Sequence, residues 1–232
     1  MQRIIIENLS KNFRIGFAKN QSVLERFYSF FSGKEPQKTI CALDNVCLKV
    51  DSGEILGIIG KNGSGKSTLL RVIAGIYKYD AGKLETSGKI VSLINLYIGL
   101  SLRLNMKDNI FLTSSLLGMG QEDIKKSFDS IVEFSGLKEF TETKLYQFSM
   151  GMLQRLVFSI AIHANPEILL LDEIFEVGDE DFRQKSGNKI VELVKKGASV
   201  VLVSHDMEMI KRHCNRVILM DKGKIIINNG YA

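Results

Sequence analysis

A chain of 232 residues with 45% apolar and 25% charged side chains can bury a sizeable core, and its length suits one or two ordinary globular domains. No apolar run approaches the roughly eighteen residues a membrane span needs, and the N-terminus Met1 to Glu7 lacks a signal-peptide pattern, so the chain is expected to stay in the cytosol. The formal charge of +5 is compatible with nucleic acid, an anionic membrane or an ordinary solvated surface, and no Lys/Arg block selects among them.

In chain order, residues 3–8 read as a first strand and 46–50 as a second. Between them Val23, Leu24, Phe27, Tyr28 and Phe31 recur at helical spacing, giving one face of a short amphipathic helix over about 22–32 that Gly33 and Pro36 end. Two readings stay open: the face packs on the chain's own core, or it is presented to a partner or membrane surface. Cys41, Cys47 and Cys214 have no metal-site spacing and are odd in number, so they read as buried reduced thiols.

The apolar run 55–59 then leads into Gly60, Lys61, Asn62, Gly63, Ser64, Gly65, Lys66, Ser67 and Thr68, which satisfies G-x-x-x-x-G-K-[ST]. Glycine at 60, 63 and 65 admits positive φ and close approach, so successive N–H groups converge on an anion at a helix N-terminus. Lys66 would reach the β/γ-phosphates and the Ser67 hydroxyl would ligate Mg²⁺. The loop points to nucleoside triphosphate binding and is silent on what the energy drives.

A helix follows over 67–76 and a strand over 89–94. Across 105–147 the strand signal disappears, and a helix over 123–134 closes at Gly136, which reads as a helical insertion in an alternating α/β chain. Alternation resumes with a strand over 168–171, a helix over 182–195, a strand over 199–203 and a short helix from Asp206. A hairpin of 216–220 with 224–228 follows, turning at Asp221, Lys222 and Gly223.

Three further stretches carry chemistry. The continuously apolar strand 168–171 ends in Asp172 and Glu173, as a doubly buried strand delivering acids to the ligand crevice would. Asp172 would hold Mg²⁺ through water, and Glu173 would accept a proton from the attacking water. Strand 199–203 ends in Ser204 and His205, which places an imidazole where the γ-phosphate should lie, whereas His163 and His213 read as structural. In Phe148 to Leu156, Ser149 is a helix N-cap, Gly151 keeps the first turn open, and the free N–H groups there make a second anion site.

Taken together, the order of phosphate loop, helical insertion, capped helix, Asp-Glu strand and His strand resembles the ATP-binding cassette family. In that family the signature is commonly Leu-Ser-Gly-Gly-Gln, and Phe148 to Met152 occupies its place. Ser149, Met150, Gly151 and Met152, followed by Arg155-Leu156, together with Asp172 to Asp179 and Phe182, are similar to the ATPase subunits of bacterial polysaccharide exporters, which move O-antigen, capsule or teichoic acid. The long segment between the first two strands is similar too.

The resemblance implies an α/β fold: a P-loop NTPase, RecA-like core with an antiparallel N-terminal β subdomain (together about 1–95 and 156–232) and an inserted α-helical subdomain (about 96–155). It makes Gly178 and Asp179 the D-loop and puts Asn95 where most relatives have the Q-loop glutamine, a shorter amide for touching Mg²⁺. Met150 replaces a small residue and would crowd the phosphate. Phe13 matches the aromatic that stacks on adenine, beside the alternative of a core phenylalanine. The implied catalytic set is Lys66, Glu173 and His205, with ATP and Mg²⁺.

The implied assembly is a head-to-tail dimer with a second copy and separate membrane-spanning permease subunits, at the cytoplasmic face of the plasma membrane, with no specific nucleic acid expected. The chain's end soon after its last strand leads to an expectation of no C-terminal carbohydrate-binding domain. The alternatives are an ATPase of another transporter class, or a cassette ATPase acting on nucleic acid or ribosomes. A generic phosphate-loop kinase or GTPase is a third, against which Ser149 to Met152 argues.

Overall fold

The computed structural model describes residues 1–15, 38–94, 99–172, 179–204 and 207–230. The amphipathic helix expected over 22–32 lies outside the described residues.

The strands are β1 (Gln2–Ile15), β2 (Lys38–Asp51), β3 (Ile55–Ile59), β4 (Ala81–Thr86), β5 (Ile90–Leu93), β6 (Ile168–Asp172), β7 (Ser199–Val203), β8 (Arg216–Asp221) and β9 (Lys224–Gly230). The helices are α1 (Lys66–Ile73), α2 (Met106–Leu116), α3 (Gln121–Ser135), α4 (Met150–His163), α5 (Glu180–Lys195) and α6 (Met207–His213). Among the described residues β2-β1-β4 form one antiparallel sheet. The second sheet runs β5-β6-β7-β3-β8-β9, parallel except for the β8–β9 hairpin at its edge.

The parallel strands read as unbroken apolar runs because both faces are covered. Leu169 and Leu171 of β6 and Val200 and Leu202 of β7 join one core, with α4, α5 and the α2–α3 insertion. Their neighbours Ile168, Leu170, Val201 and Val203 join the other, with Leu69, Leu70, Val72 and Ile73 of α1 and the inner face of the antiparallel sheet. The carboxyl ends of β3, β6 and β7 are in register, with Ile58 and Asp172 both partnered by Val203. That shared end is where such a sheet binds ligands.

Two elements went unread in the sequence. Strand β4 is almost wholly exposed, so no apolar alternation marks it. Helix α2 is capped by Asn105, whose side chain accepts from Asp108 N–H, and it buries Met106, Asn109, Ile110, Thr113 and Ser114. Three polar residues on the buried face conceal its periodicity.

The cysteine expectation needs correction: Cys41 and Cys47 are exposed, and only Cys214 is buried. Strand β2 turns Val46, Leu48 and Val50 inward, so Cys47 points out, where its Sγ accepts from Asn8 N–H at 3.2 Å. Burial pushes the Cys214 thiol up to about 12. A thiol-exchange reagent at pH 8 is therefore expected to titrate two thiols in the native chain and the third only after unfolding. Rapid native labelling at Cys214, located by peptide mass spectrometry, would contradict this placement.

Candidate nucleotide-binding site

Strand β3 delivers the chain to Gly60 and helix α1 takes it away at Lys66, and the turn between them demands glycine. Gly60, Gly63 and Gly65 have φ of 150°, 78° and 107°. A Cβ at Gly60 would fall on the Met220 carbonyl, and one at Gly65 would come within 2.5 Å of the Ala42 carbonyl. Position 63 faces open space, so only its left-handed backbone calls for glycine. The β8–β9 turn braces the loop through Gly223 N–H donating to Ser64 O at 2.9 Å.

Donors converge on this loop. The first-turn N–H groups of α1 have no acceptor within the helix, and the helix dipole adds positive potential there. Lys66 is only 5% exposed, and its Nζ donates to Gly60 O at 2.7 Å and Lys61 O at 3.1 Å. Ser64 is 3% exposed, and its hydroxyl has no hydrogen-bond partner among the described residues. A buried ammonium over a ring of amides, beside an unsatisfied hydroxyl, suits a phosphate chain. Lys61 and Asn62 are exposed at the mouth, and Ser67 and Thr68 are half-buried on the first turn of α1.

Asp172 ends β6, half-buried at the same end of the sheet. Among the described residues no group of three His, Cys, Asp or Glu could hold a metal ion. The available donors are instead hard oxygens, the Ser67 hydroxyl and the Asp172 carboxylate, which suit Mg²⁺ completed by water and phosphate oxygens. Asn95, Glu173, Gly178 and His205 lie outside the described residues.

Phe13, on β1, is half-buried and meets Tyr77 edge-on, with ring centroids 5.4 Å apart. Asp80 holds this stretch of β1: its carboxylate accepts from Asn12 N–H at 2.5 Å and from Lys11 Nζ at 3.0 Å. Those two contacts, the backbone bond first, keep its carboxyl below the usual range.

The expected cap at the start of α4 is present. Ser149 is the N-cap of α4, its hydroxyl accepting from Met152 N–H at 3.2 Å. Met150 is 51% exposed, and a Cβ at Gly151 would meet only the Ser149 hydroxyl, at 4.0 Å, so the helix start is open to a ligand. Asp179 caps α5 by accepting from Phe182 N–H at 2.9 Å. His163 is tied to its own helix, Nδ1 donating to Ser159 O at 2.7 Å, and burial lowers its pKa and that of His213, as befits structural histidines. Asp80 was not singled out from sequence, because what marks it is contact with the remote Lys11 and Asn12.

Residues 43–176 match the ABC transporter family. The chain is similar to the O-antigen export system ATP-binding protein RfbB of Myxococcus xanthus, at 35% identity over 97% of this chain and 53% of that protein. It is also similar to the teichoic acids export ATP-binding protein TagH of Lactococcus lactis subsp. lactis, at 37% identity over 96% of this chain and 47% of that one. RfbB of Klebsiella pneumoniae is 36% identical over 79% of this chain and 75% of its own length. The chain thus spans about half the length of the first two. Among solved structures, a dimeric post-hydrolysis state of the ATP-binding cassette MJ0796 bound to ADP and Pi superposes with a TM-score of 0.79, at 24% identity over 98% of each chain.

Proposed function

We propose, since this chain belongs to the ABC transporter family, that it hydrolyses ATP to power export of a cell-surface polysaccharide through separate membrane-spanning subunits. The observation that carries the substrate class is that relatives matching 96–97% of this chain are named for O-antigen and teichoic acid export. Among the described residues no helix is long and apolar enough to cross a membrane, so the described part needs a partner to carry a substrate across one. In this reading the chain sits at the cytoplasmic face of the plasma membrane, where ATP is supplied.

In this reading the RecA-like core and β subdomain (about 1–95 and 156–232) bind the nucleotide, and the helical subdomain (about 96–155) presents the signature. The loop amides and Lys66 hold the β/γ-phosphates, Ser64 donates to an oxygen among them, and Phe13 stacks on the base. Ser67 and Asp172, with the Asn95 amide, are the residues that would hold Mg²⁺, whose charge would offset that of the phosphates. Glu173 takes the proton from the attacking water and His205 contacts the γ-phosphate.

Ser149 and Gly151, at an open helix start, close over the γ-phosphate of ATP held by a second copy, with Met150 and Met152 flanking them. Gly178 and Asp179 would serve as the D-loop of that composite site. Closing and reopening of the pair then moves the membrane partner.

Deleting the gene in its source organism tests the reading. Loss of a long-chain surface polysaccharide on gels is expected, restored by the wild-type gene and not by Lys66→Ala. An unchanged surface polysaccharide profile in the deletion strain would overturn the substrate class.

A further inference from the structure

Arg155, on α4, ties its helix to the end of α3 and the start of α5. Its Nε donates to Ser135 O, at the C-terminal end of α3, at 2.9 Å. Its guanidinium carbon lies 5.2 Å from the Phe182 ring centroid on α5, and Nη1 is 3.4 Å from Asp179 Oδ2. Gly136, in the left-handed conformation at φ 67°, leaves the space the guanidinium fills, since a Cβ there would fall on its Nη2.

The contacts are too elaborate for mere adhesion. Aromatic packing already binds these helices, with Phe134 edge-on to Phe182 at 5.8 Å and Phe158 edge-on to Phe182 at 6.0 Å. Lys185 supplies a second cation to the end of α3, donating to Phe134 O at 3.4 Å. The Arg155–Asp179 pair has side chains 26% and 61% exposed, so it stabilises little by itself. What a planar fork adds is direction. It ties the helix that begins at Ser149 to the residue that caps α5, two features that face the second copy in the reading above.

We propose that Arg155 is a positioning residue that fixes the Ser149 end of α4 and Asp179 relative to each other, so that both reach the partner's nucleotide together. This rests on the composite-site reading. It predicts a split: turnover depends on Arg155, while nucleotide affinity of the phosphate loop in the same chain does not.

The test uses the full chain with Arg155→Gln, Arg155→Lys, Asp179→Asn and the Gln/Asn double variant. Asparagine keeps an oxygen for the Phe182 N–H and puts an uncharged amide donor where Oδ2 accepts from Arg155, so the cap survives and the pair is lost. Steady-state hydrolysis and binding of a fluorescent ATP analogue are measured for each. Arg155→Gln is expected to lower kcat about tenfold, within the range for coupled neighbours, with Kd unchanged. Arg155→Lys should fall as far, because a point charge cannot serve the carbonyl, the ring and the carboxylate together. The double variant should be no slower than the slower single one.

Wild-type kcat in Arg155→Gln, or a double variant whose loss is the product of the single losses, would overturn the proposal. If wild-type hydrolysis itself does not depend on Lys66, the ATPase reading fails and the proposal with it, an outcome distinct from the other two.

Discussion

Lys66→Ala is expected to lower ATP hydrolysis by about two to three orders of magnitude, the scale seen when one preorganised charge or donor is removed from a reacting group. The side chain is 5% exposed, and among the described residues its ammonium donates to two carbonyls, Gly60 O and Lys61 O. A buried charge with partial partners is costly unless an anion completes the set. Phosphate oxygens do so, and their attraction grows as charge develops on the transferred group. Fold should survive the change. Lys61 is exposed and Gly60 half-buried, so water can serve the two carbonyls left behind. Phosphate release and binding of a fluorescent ATP analogue should both fall while the melting temperature moves little. Wild-type turnover in this variant would remove the phosphate loop from the reaction.

Ser149→Arg should abolish turnover to a similar degree and yet leave ATP binding intact. The hydroxyl caps α4 through Met152 N–H, and losing such a cap costs about 1 kcal/mol, a small part of a domain's stability. The arginine would instead fill the open space in front of Gly151, where only the Ser149 hydroxyl comes as near as 4.0 Å. The variant would retain every residue of its own phosphate loop. A Kd equal to wild type with lost kcat is the expected pair of results, whereas loss of ATP binding would place Ser149 in the site of its own chain.

Which features could be read from sequence follows from what fixes each one. Strands β6 and β7 declare themselves because both faces are buried, and the phosphate loop does so because Gly60 and Gly65 are forced by colliding carbonyls. The Ser149 cap is equally local. Strand β4 is set by its pairing with β1 and carries no apolar signal of its own. Helix α2 hides behind buried Asn109, whose side-chain oxygen accepts from Ser101 N–H and whose amide donates to the carbonyls of Ser101, Leu104 and Asn105. The thiols were misplaced because a count of cysteines carries no strand parity. The contacts of Arg155 could not be read from sequence, because Ser135, Asp179 and Phe182 are brought to it by the fold.

The central claim is that one ATP site is built from two copies, the phosphate loop of one and the Ser149 end of the other. Mixing Lys66→Ala with Ser149→Arg chains tests it most directly. In a closed two-fold dimer, random pairing gives heterodimers with one intact composite site and one doubly damaged site, so about a quarter of wild-type hydrolysis should return if sites act independently. Each variant alone should stay inactive. A mixture no more active than the two variants measured separately would contradict the claim.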